Sequence, residues 1–356
     1  MHFDQLAAFL AEQKQPAYRL AQVKRAFFVE LRDKWEDVSV FAKPLREAAA
    51  TSIPWNTLTP LRVQESKDGD TVKTLFKCED GKIIEAVLMC HQDERNTVCV
   101  SSQAGCAMAC TFCATGTMGL KRNLTSDEIV EQVIHYARYL KPRGEVVTNV
   151  VLMGMGEPLQ NYDNVMQALK ALNDKDGFNF GARRMSISTC GVVPGILRLA
   201  DEPMQVNLAI SLHAGTDEVR SKIMPVNNAY PLAKLMQAVR TYMEKTNRKV
   251  MFEYLLLKGI NDRPEDAEAV ARLLGSDVRL VHVNVIKYHD TLSFQGTERS
   301  DRVDFVDQLR AFRIPATHRV TFGEDIDAAC GQLAVNEAGE VVAQGAQAIK
   351  LNKNKV

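Results

Sequence analysis

The sequence predicts an α/β fold: a partial (β/α)6 TIM-type barrel, preceded by an N-terminal helical domain and a small β extension. Three observations carry that prediction. Apolar residues recur at three- and four-residue spacings over the first fifty or so positions, as on one face of a helix. The stretch from Leu61 to Met89 then changes to short β-branched runs between turn signals. After Asn96, strand-like and helix-like runs alternate about six times, which is the pattern of a parallel sheet covered by helices.

Taken in order, "FDQLAAFLAEQ" and "RLAQVKRAFFVELRDKW" are the helical stretches, and Pro44 and Pro54 break the pattern. "LRVQESKDGDTVKTLFKCEDGKIIEAVLM" holds two turn signals, Asp-Gly in both cases, and reads as an antiparallel meander. "TVCVSS" is the first barrel strand. "TSDEIVEQVIHYARYL" is a helix opened by a capping box from Thr125 to Glu128. "VTNVVLMG", "RMSIST", "QVNLAISL", "KVMFEYLLL" and "LVHVNVI" are strands. "NVMQALKALND", "GILRLA", "LAKLMQAVRTYMEKT", "PEDAEAVARLLG" and "DRVDFVDQLRAF" are the helices between and after them, and "THRVTF" is a last strand. The implied units are 1–55, an RNA-binding-like helical domain; 56–95, the meander; 96–323, the barrel; and 324–356, a C-terminal segment.

The bulk numbers exclude some classes. With 44 basic and 44 acidic residues the net charge is zero, so no global field draws the chain to nucleic acid or membrane. Local basic sets are needed instead: Arg19, Lys24 and Arg25; Lys121 and Arg122; Arg183 and Arg184; and the terminal "KLNKNKV". Each suits phosphate contacts or a plain solvated face. No apolar run reaches the length of about 18 that marks a membrane span, and "MHFDQLAAFLAEQKQ" lacks the form of a secretory signal. A cytoplasmic protein is expected. Eight cysteines in such a chain point to metal or redox chemistry rather than a disulfide scaffold.

Four of the eight lie in "CVSSQAGCAMACTFCATG". Cys106, Cys110 and Cys113 are spaced C-x3-C-x2-C and follow the first barrel strand, where such barrels keep their chemistry. Three thiolates hold three irons of a 4Fe-4S cluster and leave the fourth iron open to a small molecule. Structural zinc wants four protein ligands, and no fourth is obvious nearby.

This motif in this place resembles the radical S-adenosylmethionine (SAM) superfamily. The resemblance implies that SAM binds the open iron and is split, on one-electron reduction, to a 5′-deoxyadenosyl radical. Other strand ends agree. "LMGMGEP" offers Gly154 and Gly156 for close backbone approach, and Glu157 to accept from an ammonium group. "SIST" offers Ser188, and "SLH" offers Ser211, Leu212 and His213 as cofactor contacts.

Nearly the whole chain resembles one subfamily, the RlmN-type RNA adenine methyltransferases, with the Cfr-type enzymes as near relatives. "LKRNLTSDEI", "GMGEPL", "STCGVVP", "ISLHA" and "DIDAACGQL" carry the likeness. It implies two SAM molecules per turnover. Cys330 takes a methyl group from one. The radical made from the other abstracts a hydrogen from that methyl, and the carbon adds to adenine. Cys99 then resolves the protein–RNA crosslink through a transient disulfide with Cys330. Glu85, in "KIIEAVLM", matches a family glutamate assigned as proton acceptor; a solvated strand carboxylate is the alternative. The substrates implied are C2 of an adenine in 23S rRNA, and tRNA. Flavodoxin or ferredoxin would donate the electron, and a monomer is expected.

The family pattern has Asn, a SAM contact, where this chain has His289. Pro158 favours C2 over the C8 chemistry of the Cfr-type enzymes, which have Ala there. The first step needs Cys330 as thiolate, whereas a free thiol has a pKa near ~8.5. The site must favour ionisation or work with a small thiolate fraction; Asp325 and Asp327 would not lower that pKa, so some other group, which the sequence does not show, must. Two further readings remain at this point: a zinc-stabilised RNA-binding protein without catalysis, and a radical SAM enzyme of another substrate that does not need Cys330.

Overall fold

A computed structural model describes residues 1–289 and 294–333. The basic terminal "KLNKNKV" lies outside the described residues. Helices α1 (Phe3–Glu12), α2 (Tyr18–Phe28) and α3 (Lys43–Ser52) form the N-terminal layer. The predicted second helix stops early: the chain turns at Leu31, whose φ is +56°, and Trp35 and Trp55 then pack edge to face. Pro44 does not end a helix but opens α3, because a first-turn position has no intrahelical N–H to lose.

Strands β1 (Leu58–Glu65), β2 (Thr71–Cys78) and β3 (Ile83–Cys90) are the expected antiparallel meander. It is not a separate layer. β3 pairs antiparallel with β4 (Asn96–Cys99), the first barrel strand, so meander and barrel share one sheet. The meander thereby covers an edge that a partial barrel would leave unpaired. A small hairpin follows, β5 (Gln103–Gly105) with β6 (Leu120–Asn123), and the short helix α4 (Ala114–Thr117) lies between its strands. None of these three pieces was legible in advance.

The barrel then alternates as expected: α5 (Ser126–Leu140), β7 (Asn149–Leu152), α6 (Tyr162–Asn173), β8 (Met185–Thr189), α7 (Val193–Leu199) and β9 (Asn207–Ser211). An unforeseen helix, α8 (Asp217–Ile223), precedes α9 (Leu232–Thr246), β10 (Val250–Leu256), α10 (Pro264–Leu274), β11 (Val281–Lys287), α11 (Arg299–Ala311) and β12 (Ala316–His318). β4, β7, β8, β9, β10, β11 and β12 run parallel in that order, and among the described residues the sheet does not close. The last strand is shorter than "THRVTF" suggests. After Arg319, whose N–H still bonds the Val285 carbonyl at 2.9 Å, the chain leaves the sheet to build the Cys330 loop.

The capping box of α5 is present in both directions: the Glu128 N–H donates to Thr125 Oγ1 at 3.2 Å and the Thr125 N–H to Glu128 Oε2 at 2.9 Å. α5 also seats the N-terminal layer on the barrel. Arg138 donates to the Asn56 side chain and the Arg32 carbonyl, and its guanidinium lies over the Phe27 ring. Buried apolar side chains run without a break from α1 to β12. Among the described residues, no helix is long and apolar enough to cross a membrane.

Candidate active site

The loop Cys106–Cys113 leaves β5 at the C-terminal end of the barrel strands. The Thr111 N–H bonds the Ile223 carbonyl at 3.0 Å, which pins the loop to the last turn of α8. All three cysteines line one cleft of about 830 Å³. Gly156, Glu157, Ser188, Ser211 and His213 line the same cleft, so residues from four separate strand ends meet there. Leu212 is fully buried and does not line it; its backbone N–H bonds the Glu253 carbonyl.

Glu157 is held from two sides. The Leu159 N–H donates to Oε1 at 3.0 Å and the Cys190 N–H to Oε2 at 2.8 Å, while its own N–H donates to Gln103 Oε1. Burial raises its pKa, and the Cys190 and Leu159 bonds pull it back. A buried carboxylate facing a cleft is prepared for a cationic ligand. Gly156 lets the strand end lie against Gln103: its φ is +102°, and a Cβ there would lie 2.5 Å from the Gln103 side chain. Pro158 is buried and opens the 3-10 turn that Glu157 caps.

His213 is buried, and its pKa is pushed down to about 3, first by burial and then by Arg220. The ring is neutral at physiological pH. Its Nδ1 accepts from the Leu255 N–H at 2.9 Å, which leaves the proton on Nε2. Phe112, inside the cysteine loop, packs edge-on against it with centroids 4.9 Å apart.

Among the described residues, no three or more His, Cys, Asp or Glu side chains are gathered closely enough to hold one metal ion. A mononuclear zinc site draws its ligands to about 2.0–2.3 Å of a single point. A four-iron cluster instead gives each cysteine its own iron. Three thiols set around one cleft fit the second demand. Burial pushes the Cys106 thiol up to about 12, and it raises Cys110 and Cys113 as well. Ligation requires thiolates, so iron loading must expel protons. Anaerobic cluster assembly is therefore expected to acidify a weakly buffered solution and to run faster at about pH 9 than at about pH 7. A dye-monitored reconstitution with no proton release would contradict this. The metal-free chain should also lose stability as pH rises from the ordinary thiol value of 9.0 towards about 12, because unfolded thiols ionise first.

A second cleft, of about 700 Å³, adjoins the first. Cys99, Cys330, His289 and Arg319 line it, and Cys113, Arg319 and Cys330 line both clefts. Cys330 is exposed on a loop tied down at both flanks. On one side, the Ala114 N–H bonds the Gly331 carbonyl at 2.8 Å and Thr115 Oγ1 the Leu333 carbonyl at 2.6 Å. On the other, Lys73 Nζ bonds the Asp327 carbonyl at 3.1 Å, and the Lys67 N–H bonds Asp325. Gly323, at φ +62°, lets the loop press on β2, since a Cβ would meet Thr71 at 2.7 Å. His289 faces this cleft rather than that of the three cysteines, with Nδ1 3.8 Å from Glu324.

Glu85 is not a solvated carboxylate. It is 1% exposed and lies 3.6 Å from Lys73 Nζ, itself 1% exposed. It shares a strand face with Val87 and Met89, which line the Cys330 cleft. Removing one partner of a buried ion pair typically costs about 3–5 kcal/mol. Glu85→Gln is therefore expected to lower unfolding stability by about that amount, read from urea denaturation; a change within error would show the pair to be energetically idle.

All eight cysteines are free thiols, so no standing disulfide braces the fold; the Cys99–Cys330 disulfide is expected only as a transient step of the reaction. Burial, and then the neighbouring Cys330, push the Cys99 thiol up to about 12. Arg122 is not available to phosphate: it pairs with Asp80 at 2.6 Å and Glu128 at 2.7 Å. Arg19 is half committed, bonding the Val40 carbonyl while its guanidinium lies over the Phe41 ring.

The radical SAM superfamily model matches residues 100–274. A probable dual-specificity RNA methyltransferase RlmN of Staphylococcus haemolyticus is 43% identical over 340 residues, covering 95% of this chain and 92% of the relative. The Staphylococcus aureus protein of the same name matches equally. The chain belongs to the RlmN family. The crystal structure of a radical SAM methyltransferase from Sphaerobacter thermophilus superposes with a TM-score of 0.89 at 46% identity, over 94% of this chain and 97% of that one. The RlmN family is one of radical SAM RNA methyltransferases, so a 4Fe-4S cluster and SAM belong to its chemistry.

Within this RlmN-family site, one residue was missed. Arg319 donates to Glu253 at 3.2 Å and contacts the Met153 sulfur at 3.3 Å through both terminal nitrogens. The Cys330 thiolate, against the pull of burial and with help from Glu253, holds the guanidinium more firmly protonated than usual. Arg319 lines both clefts together with Cys330. Its signal was an arginine in alternation with apolar residues at a strand end, which is too common to stand out.

Proposed function

We propose that this chain methylates C2 of an adenine in 23S rRNA, and in tRNA, with Cys330 as the covalent carrier of the carbon. The observation that carries the proposal is the placement of Cys330 on a tethered loop that lines both clefts, with Arg319 beside it in both and Cys99 in the second. Cys106, Cys110 and Cys113 would hold the 4Fe-4S cluster. With SAM bound, that group would supply one-electron chemistry in the first cleft.

The chain's own residues do the rest. Glu157 receives the ammonium end of SAM. Ser188, Ser211 and the neutral Nε2–H of His213 offer hydrogen bonds along the cleft, and the backbone at Leu212 fixes the strand end beneath them. Arg319 favours the Cys330 thiolate that accepts a methyl group from a SAM molecule used as an ordinary alkylating agent. A second SAM per turnover serves the radical step. Cys99 releases the product from Cys330. Glu85 takes up the proton lost from the ring, with Lys73 holding its charge until then. His289 belongs to the RNA-facing cleft. Residues 1–55 present the helical layer to RNA, and residues 324–356 carry Cys330.

An aromatic C–H carbon has no lone pair with which to attack a sulfonium, so a polar transfer fails where a carbon radical succeeds. Pro158 supports C2 over C8. A cytoplasmic monomer reduced by flavodoxin or ferredoxin completes the proposal. Peptide mass spectrometry of the protein purified from growing cells tests it: the Cys330 peptide should carry one extra methyl, and an unmodified peptide from protein shown to contain iron would sink it.

A further inference from the structure

Arg220 is the largest fully buried side chain of the described residues, at 0% exposure, and it lines neither cleft. It sits on α8, directly behind the site. Its Nη2 donates to the Cys190 carbonyl at 2.7 Å and the Ser211 carbonyl at 3.2 Å. Its Nε donates to the Leu212 carbonyl at 3.1 Å, and its Nη1 to Asn227 Oδ1 at 2.9 Å. Those three carbonyls terminate β8 and β9, whose ends carry Ser188, Ser211 and His213. The same short helix holds the cysteine loop, through the two bonds from Thr111 to the Ile223 carbonyl. α8 is thus a strut between the cysteine loop and the SAM-facing strand ends.

A neutral amide could bond carbonyls without the desolvation cost of a buried ion, several kcal/mol in effective terms. Among the described residues, all four of the guanidinium's hydrogen bonds go to carbonyl or amide oxygens and none to a carboxylate. Asp217 is reached only through Asn227, which donates to it at 2.9 Å. A cation kept buried with so little local neutralisation acts on whatever charge lies beside it, and at low dielectric it acts strongly. Burial lowers its pKa, and Cys190, Cys110 and Asp217 are the groups beside it that favour its charge. Reduction adds one electron to a centre already carrying three thiolates, and net charge is one of the terms that set a cluster's potential.

We propose that Arg220 is a positioning residue with two tasks: its fork fixes the strand-end carbonyls of Cys190, Ser211 and Leu212 for SAM, and its buried charge raises the reduction potential of the cluster held by Cys106, Cys110 and Cys113. The electron comes from a reduced flavin or iron–sulfur donor protein, and the cluster's charge falls by one. This inference rests on the reading of the site as a cluster and SAM centre.

The test is an EPR-monitored potentiometric titration of the full-length protein, anaerobically reconstituted, with dithionite as reductant. Arg220→Met removes the charge. At a fixed potential its reduced-to-oxidised ratio should fall about tenfold, a midpoint about 59 mV lower for a one-electron couple. Arg220→Lys keeps the charge and loses the fork. Its midpoint should stay close to wild type, while the SAM-induced change in the spectrum requires about tenfold more SAM. Should Arg220→Met fail to load iron, Asn227→Asp tests the charge instead, since a carboxylate then pairs with the guanidinium and must lower the midpoint. A wild-type midpoint in Arg220→Met, or in Asn227→Asp where that variant stands in, overturns the inference alone. A wild-type protein that assembles no cluster removes the proposed function and this inference together.

Discussion

Cys330→Ala is expected to abolish adenine methylation, by ~10⁴-fold or more as when a covalent nucleophile is removed, while iron and sulfide content stay at the wild-type level. The split follows from the geometry. Cys330 is exposed, so its truncation leaves no cavity, and its loop is held by backbone and hydroxyl bonds that the thiol does not make. The three cluster cysteines are on another segment. Cys99→Ala should differ in kind: methyl transfer to Cys330 and addition to RNA proceed, and the protein stays bound to its substrate. Denaturing gels with labelled RNA would show a retarded band in Cys99→Ala and none in Cys330→Ala. Methylation that survives Cys330→Ala would favour a radical SAM enzyme of another type.

Arg319→Met should slow methyl transfer to Cys330 by about 10–100-fold near neutral pH, since the thiolate is the nucleophile and its fraction sets the rate. The sign with pH is definite. Raising the pH repopulates the thiolate without help from a cation, so the deficit should shrink towards about pH 10. Arg319→Lys keeps the charge and should recover much of the rate, although it loses the two-nitrogen contact with Met153. Removal of Arg319 also leaves the Glu253 carboxylate, among the described residues, with the Asn284 bond at 3.0 Å, so stability needs a parallel measurement. A variant slowed equally at every pH would assign Arg319 to structure only.

The features that were legible in the sequence are those fixed by local chemistry. The thiol spacing of Cys106, Cys110 and Cys113, the reciprocal cap of Thr125 and Glu128, and the alternation of apolar strands and amphipathic helices each depend on neighbours a few residues away. What stayed hidden depends on partners far along the chain. Glu85 looks like any strand carboxylate until Lys73, on the adjacent strand, is placed beside it. Arg122 belongs to a basic run in the sequence and to Asp80 and Glu128 in the fold. α8 is too short for its periodicity to register, and its importance lies in one buried guanidinium. The meander reads as a separate unit because nothing in its turns announces that β3 continues the barrel sheet.

The central claim is that Cys330 delivers a carbon to C2 of adenine, and its most direct test is chemical. Ribosomal and transfer RNA from a host lacking its own enzyme would be digested with and without this protein expressed. The nucleosides would be separated by liquid chromatography against 2-methyl- and 8-methyladenosine and identified by mass. A new 2-methyladenosine that disappears with Cys330→Ala is the predicted result. An 8-methyladenosine would contradict the regiochemistry assigned through Pro158, and no new methyladenosine from cluster-loaded protein would contradict the claim itself.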